Sequence, residues 1–353
     1  MSVKVSVLGV KNPYDVHIGK GILKDIPKIL SECTKAKKIV IITDDNVNSF
    51  YGDTVVHILK TAGYEVLKFV FCHGEVNKNI STIEAILEFM AENNVTRSDC
   101  IAALGGGIVG DVSGFAAASY LRGIDFIQIP TTFLASIDSS VGGKTGVNLK
   151  HGKNLAGAFY QPKSVICDIE TFDTLPEENF KEGVAEAIKY GIICDKELFH
   201  TLSFEKEWDL IKVIQRCVAI KAEIVAEDEF DTGKRQLLNF GHTIGHAIEK
   251  CSDFKITHGV AVGIGMAQIS EACDALGWSL EPTNPQIVEA LKNNGLLYKA
   301  DFLKEDLINA MNKDKKRAGE KINLVAVKKI GECFIKKIPV SDLDTVLITA
   351  KGD

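Results

Sequence analysis

Short apolar runs rich in β-branched residues recur through the first half of the chain, each followed by a stretch with helical spacing. Lys37-Lys38-Ile39-Val40-Ile41-Ile42-Thr43 predicts a strand buried on both faces. Residues 51–63 follow as a helix and Glu65-Val66-Leu67-Lys68-Phe69-Val70-Phe71 as the next strand. Ile83, Ile86, Leu87 and Met90 then fall at i, i+3, i+4 and i+7, one buried helical face. Cys100-Ile101-Ala102-Ala103-Leu104 and Ile124-Asp125-Phe126-Ile127-Gln128-Ile129-Pro130 continue the alternation. Such a pattern demands a parallel sheet with helices on both sides.

Composition narrows the class. With 353 residues, 46% hydrophobic and 25% charged, the chain has an ordinary globular make-up and room for two domains. It contains no run of 18 uncharged apolar residues, so a membrane span is not expected. A net charge of -6 argues against non-specific nucleic-acid binding. Met1 to Val7 alternates like a strand and lacks the apolar core of a signal peptide. Nine cysteines without a C-x-x-C pair fit reduced thiols, and the expected location is the cytoplasm.

Two glycine-rich turns carry chemistry. Gly105-Gly106-Gly107-Ile108-Val109-Gly110-Asp111 satisfies G-x-G-x-x-G between a strand and a helix over 112–121, where bare backbone N–H groups can meet a pyrophosphate. The ordinary fingerprint is incomplete, since no acid follows about twenty residues on. Asp111 would repel a pyrophosphate unless it serves another part of a cofactor. Asp44-Asp45-Asn46 closes the first strand, where a nucleotide's ribose or adenine meets a doubly wound sheet, and Glu75-Val76-Asn77-Lys78 sits in a later loop. The second turn, Ser136 to Gly146, ends in Gly-Lys-Thr like a P-loop, but Asp138 stands where that motif needs its first glycine. A nucleoside triphosphate site is thereby excluded, although Lys144 can still bind a substrate phosphate, as can Lys153-Asn154.

After Leu175-Pro176 the pattern changes to helices, and the domain boundary belongs there: an α/β domain over 1–176 and a mainly helical one over 177–353. The helix over 179–193 sets Glu182, Glu186 and Lys189 on one face among apolar neighbours, which describes a lined cavity. A helix over 211–226 carries Lys221. In Leu238-Asn239-Phe240-Gly241-His242-Thr243-Ile244-Gly245-His246-Ala247-Ile248-Glu249, the two histidines are four apart and share a helix face, a familiar metal-binding arrangement. Glu186 is the candidate carboxylate to complete three ligands with an open position. Arg235 and Asn239 join that face if the helix begins early. His258 precedes a buried helix over 259–276, residues 314–316 read as a charged turn, and a hairpin turns around Gly331.

The motifs Gly-Gly-Gly-Ile-Val-Gly-Asp, Pro-Thr-Thr, Asp-Ser-Ser-Val-Gly-Gly-Lys-Thr, Gly-Lys-Asn-Leu, Ala-Glu-Ala-Ile-Lys and Leu-Asn-Phe-Gly-His-Thr-Ile-Gly-His-Ala-Ile-Glu occur in that order. Together they resemble the 3-dehydroquinate synthase family of sugar phosphate cyclases, from Asp44 to Lys315. The resemblance implies an N-terminal Rossmann-like NAD-binding domain and a helical metal-binding domain with the active site at their cleft. It also implies a carbon–oxygen lyase of the shikimate pathway, serving aromatic amino acid biosynthesis. The substrate would be 3-deoxy-D-arabino-heptulosonate 7-phosphate (DAHP), converted to 3-dehydroquinate and phosphate by transient oxidation, β-elimination, re-reduction and aldol closure. Related cyclases take sedoheptulose 7-phosphate or glucose 6-phosphate.

Carried over by position, the resemblance makes Glu186, His242 and His258 the ligands of a divalent metal, zinc first and cobalt second, and gives His246 to the substrate. NAD would meet Asp44, Asn46, Glu75, Lys78, Gly106, Gly107, Gly110, Asp111, Thr131, Thr132, Thr171 and Thr174, with Lys144 and Lys153 near the nicotinamide. The catalytic set would be Asp138, Lys144, Lys153, Asn154, Lys189 and His246; Lys221, Arg235, Asn239 and Lys315 (or Lys316) would bind substrate. Arg122 would reach the neighbouring subunit of a homodimer. A metal-dependent NAD alcohol or glycerol dehydrogenase is the rival reading; the pocket lysines, superfluous for a neutral polyol, favour the cyclase.

Overall fold

Ile39, Val40, Ile41 and Ile42 are all fully buried, which a strand achieves only when both faces of its sheet are covered. Ile39 and Ile41 pack with Ile26, Leu30, Val55 and Leu59 on one face. Val40 and Ile42 pack with Ile86, Met90, Val112 and Ala116 on the other. The chain, a computed structural model describing residues 2–315 and 321–349, thus has the two-sided core that its apolar runs require.

The elements follow in order: β1 (Ser2–Val7), β2 (Tyr14–Gly19), α1 (Ile26–Cys33), β3 (Lys38–Asp44), the single turn α2 (Asp45–Val47), α3 (Asp53–Thr61), β4 (Glu65–Phe71), α4 (Ile80–Glu92), β5 (Cys100–Gly105), α5 (Gly107–Ser119) and β6 (Asp125–Pro130). A hairpin of β7 (Lys144–Leu149) and β8 (Gly152–Phe159) precedes β9 (Ser164–Asp168). The main sheet runs β1-β2-β9-β6-β5-β3-β4, parallel except for the β1–β2 pair. Strand order reverses between β3 and β5, and ligands of open α/β sheets settle outside the carboxyl ends of strands at such a point.

The rest of the chain comprises α6 (Glu177–Cys194), α7 (Lys196–Phe204), α8 (Leu210–Glu227), α9 (His242–Cys251), α10 (His258–Ala275), α11 (Asn284–Asn293), α12 (Lys304–Lys315), the antiparallel pair β10 (Lys321–Lys329) and β11 (Glu332–Pro339), and α13 (Leu343–Thr349). Two compact units emerge: Met1–Pro176 with Leu210–Phe230, and Glu177–Asp209 with the residues from Asp231 onward. A single cut after Pro176 assigned α8 to the helical domain, and the structure returns it to the first unit. Its apolar face, including Ile214, Val218 and Val225, is buried there, and Gly9 lies so close to Ala226 that a Cβ would sit 2.7 Å from that side chain. Periodicity shows that a helix has a face to bury; it does not say against which layer.

Other expectations shift locally. Lys144, Lys153 and Asn154 stand on the β7–β8 hairpin, which the sequence presented as glycine-rich turns. The helix carrying the histidines does not begin early: Lys234–Asn239 is a separate 3-10 turn, and Gly241, at φ 77°, breaks the chain before His242. Asp314 and Lys315 end a helix where a turn was expected; the side chain of Lys315 and all of Lys316 fall outside the described residues. Among the described residues no helix is long and apolar enough to cross a membrane.

Candidate functional site

In the second unit, Gly241-His242 and Gly245-His246 interleave two stripes on one helix. A Cβ on Gly265 of α10 would lie 2.1 Å from the Gly241 carbonyl oxygen, and one on Gly245 would lie 3.0 Å from that of Ala261. Helices α9 and α10 therefore meet backbone to backbone, and only glycine permits that approach. The closeness brings His242, which opens α9, beside His258, which opens α10, with ring centroids 5.2 Å apart. Glu186 on α6 completes the group, its Oε1 lying 3.6 Å from His242 Nε2 and 3.5 Å from His258 Nε2.

These distances suit a shared ion. Donors at about 2.0–2.2 Å from a tetrahedral centre stand roughly 3.3–3.6 Å from one another. The other ring nitrogens are already committed: His242 Nδ1 donates to the Phe240 carbonyl at 3.1 Å, and His258 Nδ1 faces Glu249 Oε2 at 3.3 Å. Outer partners of this kind fix the tautomer and turn Nε2 toward a metal. Glu249, seven residues after His242 and three after His246, was not singled out in the sequence, although that spacing places it on their face.

Burial, then the Lys189 ammonium, pushes the His242 pKa down to about 3, so its lone pair is available. For His258 burial acts downward too, but hydrogen bonds to Glu186 and Glu249 outweigh it and hold the pKa up to about 10. A cation at this point would compete with that proton. Lys189 pairs with Glu186, both side chains 1% exposed. Glu182, one turn before Glu186, has its pKa raised by burial and accepts the Gly259 N–H at 3.4 Å, at the start of α10.

His246 completes a ring of three imidazoles, 5.4 Å from His242 and 5.8 Å from His258. Among the described residues the grouping through Glu186 takes His242 and His258, while His246 groups with Glu249 and His258. The i,i+4 spacing alone paired the wrong histidines for Glu186. A cavity of about 260 Å³ joins Asn239, His242 and His246 to Gln236, Thr243, Asn323, Val325 and Ile335. Gln236, Thr243 and Asn323 carried no sequence signal. Arg235, in the same turn as Asn239, is 2% exposed.

The first unit carries the other residues near strand ends, in turns and helices and on the β7–β8 hairpin. Asp44 ends β3 and caps the next turn by accepting the Val47 N–H at 2.8 Å. Gly106 precedes α5, and a Cβ there would meet Thr132 Cγ2 at 3.0 Å; the Thr131 N–H reaches the Gly105 carbonyl at 3.0 Å. Tyr51 ties the segment after β3 to the Thr171–Thr174 turn, 2.6 Å from Thr174 Oγ1. Lys78, only 6% exposed, donates to Asp111 at 2.5 Å and to Asn154 Oδ1 at 2.6 Å. Burial raises the Asp111 pKa against the pull of Lys78. Lys221 Nζ donates to both the main-chain oxygen and the carboxylate of Asp138, at 2.6 and 2.7 Å. Asn46 lies in the α2 turn, Gly107 and Gly110 in the first turn of α5, and Lys144 starts β7 exposed to solvent. Arg122 is exposed at the end of a 3-10 turn where both it and Leu121 hold positive φ, 68° and 49°.

The fold, a doubly wound sheet followed by a helical unit, is one that a class of solved cyclases and dehydrogenases shares. A 2-deoxy-scyllo-inosose synthase solved with carbaglucose-6-phosphate, NAD+ and Co2+ superposes at TM-score 0.88 with 24% identity, covering 98% of this chain and 99% of the other. A 2-epi-5-epi-valiolone synthase from Streptomyces hygroscopicus subsp. jinggangensis 5008, with NAD+ and Zn2+ bound, superposes at 0.85 with 24% identity over 96% of each chain. An iron-containing alcohol dehydrogenase reaches 0.68 at 16% identity, covering 96% of this chain and 97% of the other. Within that class the chain belongs to the 3-dehydroquinate synthase family: the model of the family's N-terminal part matches residues 68–182 and that of its C-terminal part residues 183–317. The 3-dehydroquinate synthase of Clostridium acetobutylicum is 48% identical over 93% of this chain and 94% of its own length. That of Alkaliphilus metalliredigens is 44% identical over 96% of each.

Proposed function

We propose that the chain converts DAHP to 3-dehydroquinate and inorganic phosphate, a carbon–oxygen lyase reaction that uses NAD and one divalent ion, zinc or cobalt. The observation that carries the reading is the trio of Glu186, His242 and His258, whose spacing matches one tetrahedral ion and whose outer nitrogens are already satisfied. The 48% identity to a 3-dehydroquinate synthase selects this reaction among those of the class. For NAD, the fit rests on Gly106 opening α5 against Thr132 at the β3–β5 switch point, with Asp44, Asn46, Glu75, Lys78, Thr131, Thr171 and Thr174 as further partners. When bound, NAD supplies a transient oxidation and its reversal, and the ion polarises substrate hydroxyls.

The chain's own residues bind, orient and move protons. Arg235 offers a planar fork to the substrate carboxylate, and this reading gives Asn239, Lys221 and Lys315 to the substrate as well. Lys144, Lys153, Asn154 and His246 hold the phosphate, which in this reading takes the proton of the neighbouring carbon as it departs. In this reading Lys189 and Asp138 orient substrate hydroxyls. An anionic substrate calls for a local concentration of Lys and Arg in a chain of net charge -6, and a neutral polyol does not, which separates this reading from a polyol dehydrogenase.

The deciding experiment mixes the purified protein with DAHP, catalytic NAD and zinc. Phosphate and 3-dehydroquinate should appear in equal amounts with no net NADH. NADH accumulating on a polyol, with no phosphate from DAHP, would establish the dehydrogenase instead. We further propose a cytoplasmic homodimer in which Arg122 reaches the partner subunit, supported by the exposed, left-handed Leu121-Arg122 corner. Light scattering that gives a monomer at assay concentration would sink that part.

A further inference from the structure

We infer that Asn148, a residue outside every set assigned above, is the positioning residue that sets the Lys153–Asn154 corner against the Glu75–Lys78 turn. The inference rests on the proposed function, which gives those two segments to the phosphate and to NAD. Asn148 sits where the register of β7 against β8 slips, between Val147 and Leu149. A bulge re-aims the side chains beside it. Its main-chain N–H donates to the Lys78 carbonyl at 2.8 Å. Its side-chain Nδ2 donates to Glu75 Oε1 at 2.7 Å, and its Oδ1 accepts the Asn154 N–H at 2.8 Å. Asn154 holds φ at 54°, the left-handed region that a residue with a Cβ enters only when its surroundings hold it there. In that conformation its Oδ1 takes the Lys78 ammonium at 2.6 Å, and the same ammonium reaches Asp111 at 2.5 Å. The circuit Glu75–Asn148–Asn154–Lys78 is therefore closed, and one amide supplies both its donor and its acceptor.

No other side chain of similar size serves both ends. A carboxylate would still accept from Asn154 but would face the Glu75 carboxylate; an aliphatic group would serve neither. Asn148 is only half-buried, so its replacement need not unfold the chain. The charged groups around the circuit are Glu75, Lys78, Asp111 and Lys153, whose Nζ lies 4.0 Å from Glu75 Oε1.

The test compares Asn148→Ala and Asn148→Asp with the full-length wild type by three measurements: melting temperature, NAD binding by fluorescence titration, and phosphate release from DAHP. Asn148→Ala should weaken NAD binding and cut kcat, each by on the order of 10-fold or more, the loss expected for hydrogen bonds to a charged group and to a strained backbone. Asn148→Asp should match that loss at about pH 8. It should then recover as the pH falls toward about 5.5, because the new carboxyl, raised by Glu75 above its usual value of about 4, donates once protonated. The wild type should show no such acid-side gain. A role confined to stability would lower the melting temperature of both variants and leave the aspartate variant with the wild-type pH profile; that result overturns the inference, as does NAD binding and kcat within about twofold of wild type for both. A wild type that binds NAD but releases no phosphate defeats the proposed function alone, and the NAD titrations of the two variants then decide the positioning role.

Discussion

The two units hold their polar groups by different means. In the first, polar side chains from separate turns, helices and the β7–β8 hairpin are fixed by one another: Lys78 between Asp111 and Asn154, and Lys221 on Asp138. In the second, imidazoles are fixed by how closely two helices approach, with Gly241, Gly245 and Gly265 leaving no side chain between the backbones of α9 and α10. A polar network tolerates small shifts of the main chain but not the loss of one partner. A glycine contact has the opposite sensitivity, since one added methyl moves both helices and every ligand on them.

The largest effect should come from Glu186→Gln. Removing the carboxylate shared by His242 and His258 should weaken zinc binding by more than about 100-fold, beyond what outer partners contribute, when titrated against a competing chelator. NAD binding should not change; if it does, the separation of the two sites by unit is wrong.

Lys78→Met tests the network directly. It leaves the Asp111 carboxylate without its ammonium, and because the pair is not wholly buried the cost should be about 2–3 kcal/mol, below that of a fully buried pair. Burial already raises the Asp111 pKa, so folding makes its ionised form more costly. The penalty should therefore be present near neutral pH, where the carboxyl must ionise, and shrink as the pH falls through that raised value. Urea unfolding at a series of pH values reads it.

Gly245→Ala should cost roughly 1–2 kcal/mol from overpacking against the Ala261 carbonyl, and should loosen zinc binding although no ligand is touched. A loss of stability with unchanged zinc affinity would mean that the glycine contact only packs. Glu249→Gln should have the smallest effect. The amide oxygen can still accept from His258 Nδ1, so zinc affinity should fall by about tenfold, the low end for an outer partner.

Much of the first unit was legible because its signals are local. Runs such as Ile39 to Ile42 and Cys100 to Leu104 mark strands buried on both faces, and the glycines after Leu104 mark where the strand gives way to a helix. The β7–β8 hairpin was not legible, because Lys144 to Phe159 is rich in glycine and lysine and shows no clear alternation. Glu186 stood out as an acid on an apolar helix, whereas Gln236, Thr243 and Asn323 are ordinary polar residues until a cavity gives them a common surface.

By itself, then, the sequence determined the alternating strands and helices, the change to helices after Pro176, and the four-residue spacing that puts His242 and His246 on one face. Residue resemblance, not spacing, named His258. Only the tertiary structure decided that His258 stands with His242 before Glu186, that α8 belongs with the first unit, and that Asn148 joins two distant turns. The reason is physical: periodicity records which side of an element is buried, but close approach of segments far apart in the chain depends on backbone-to-backbone fit that no local pattern encodes.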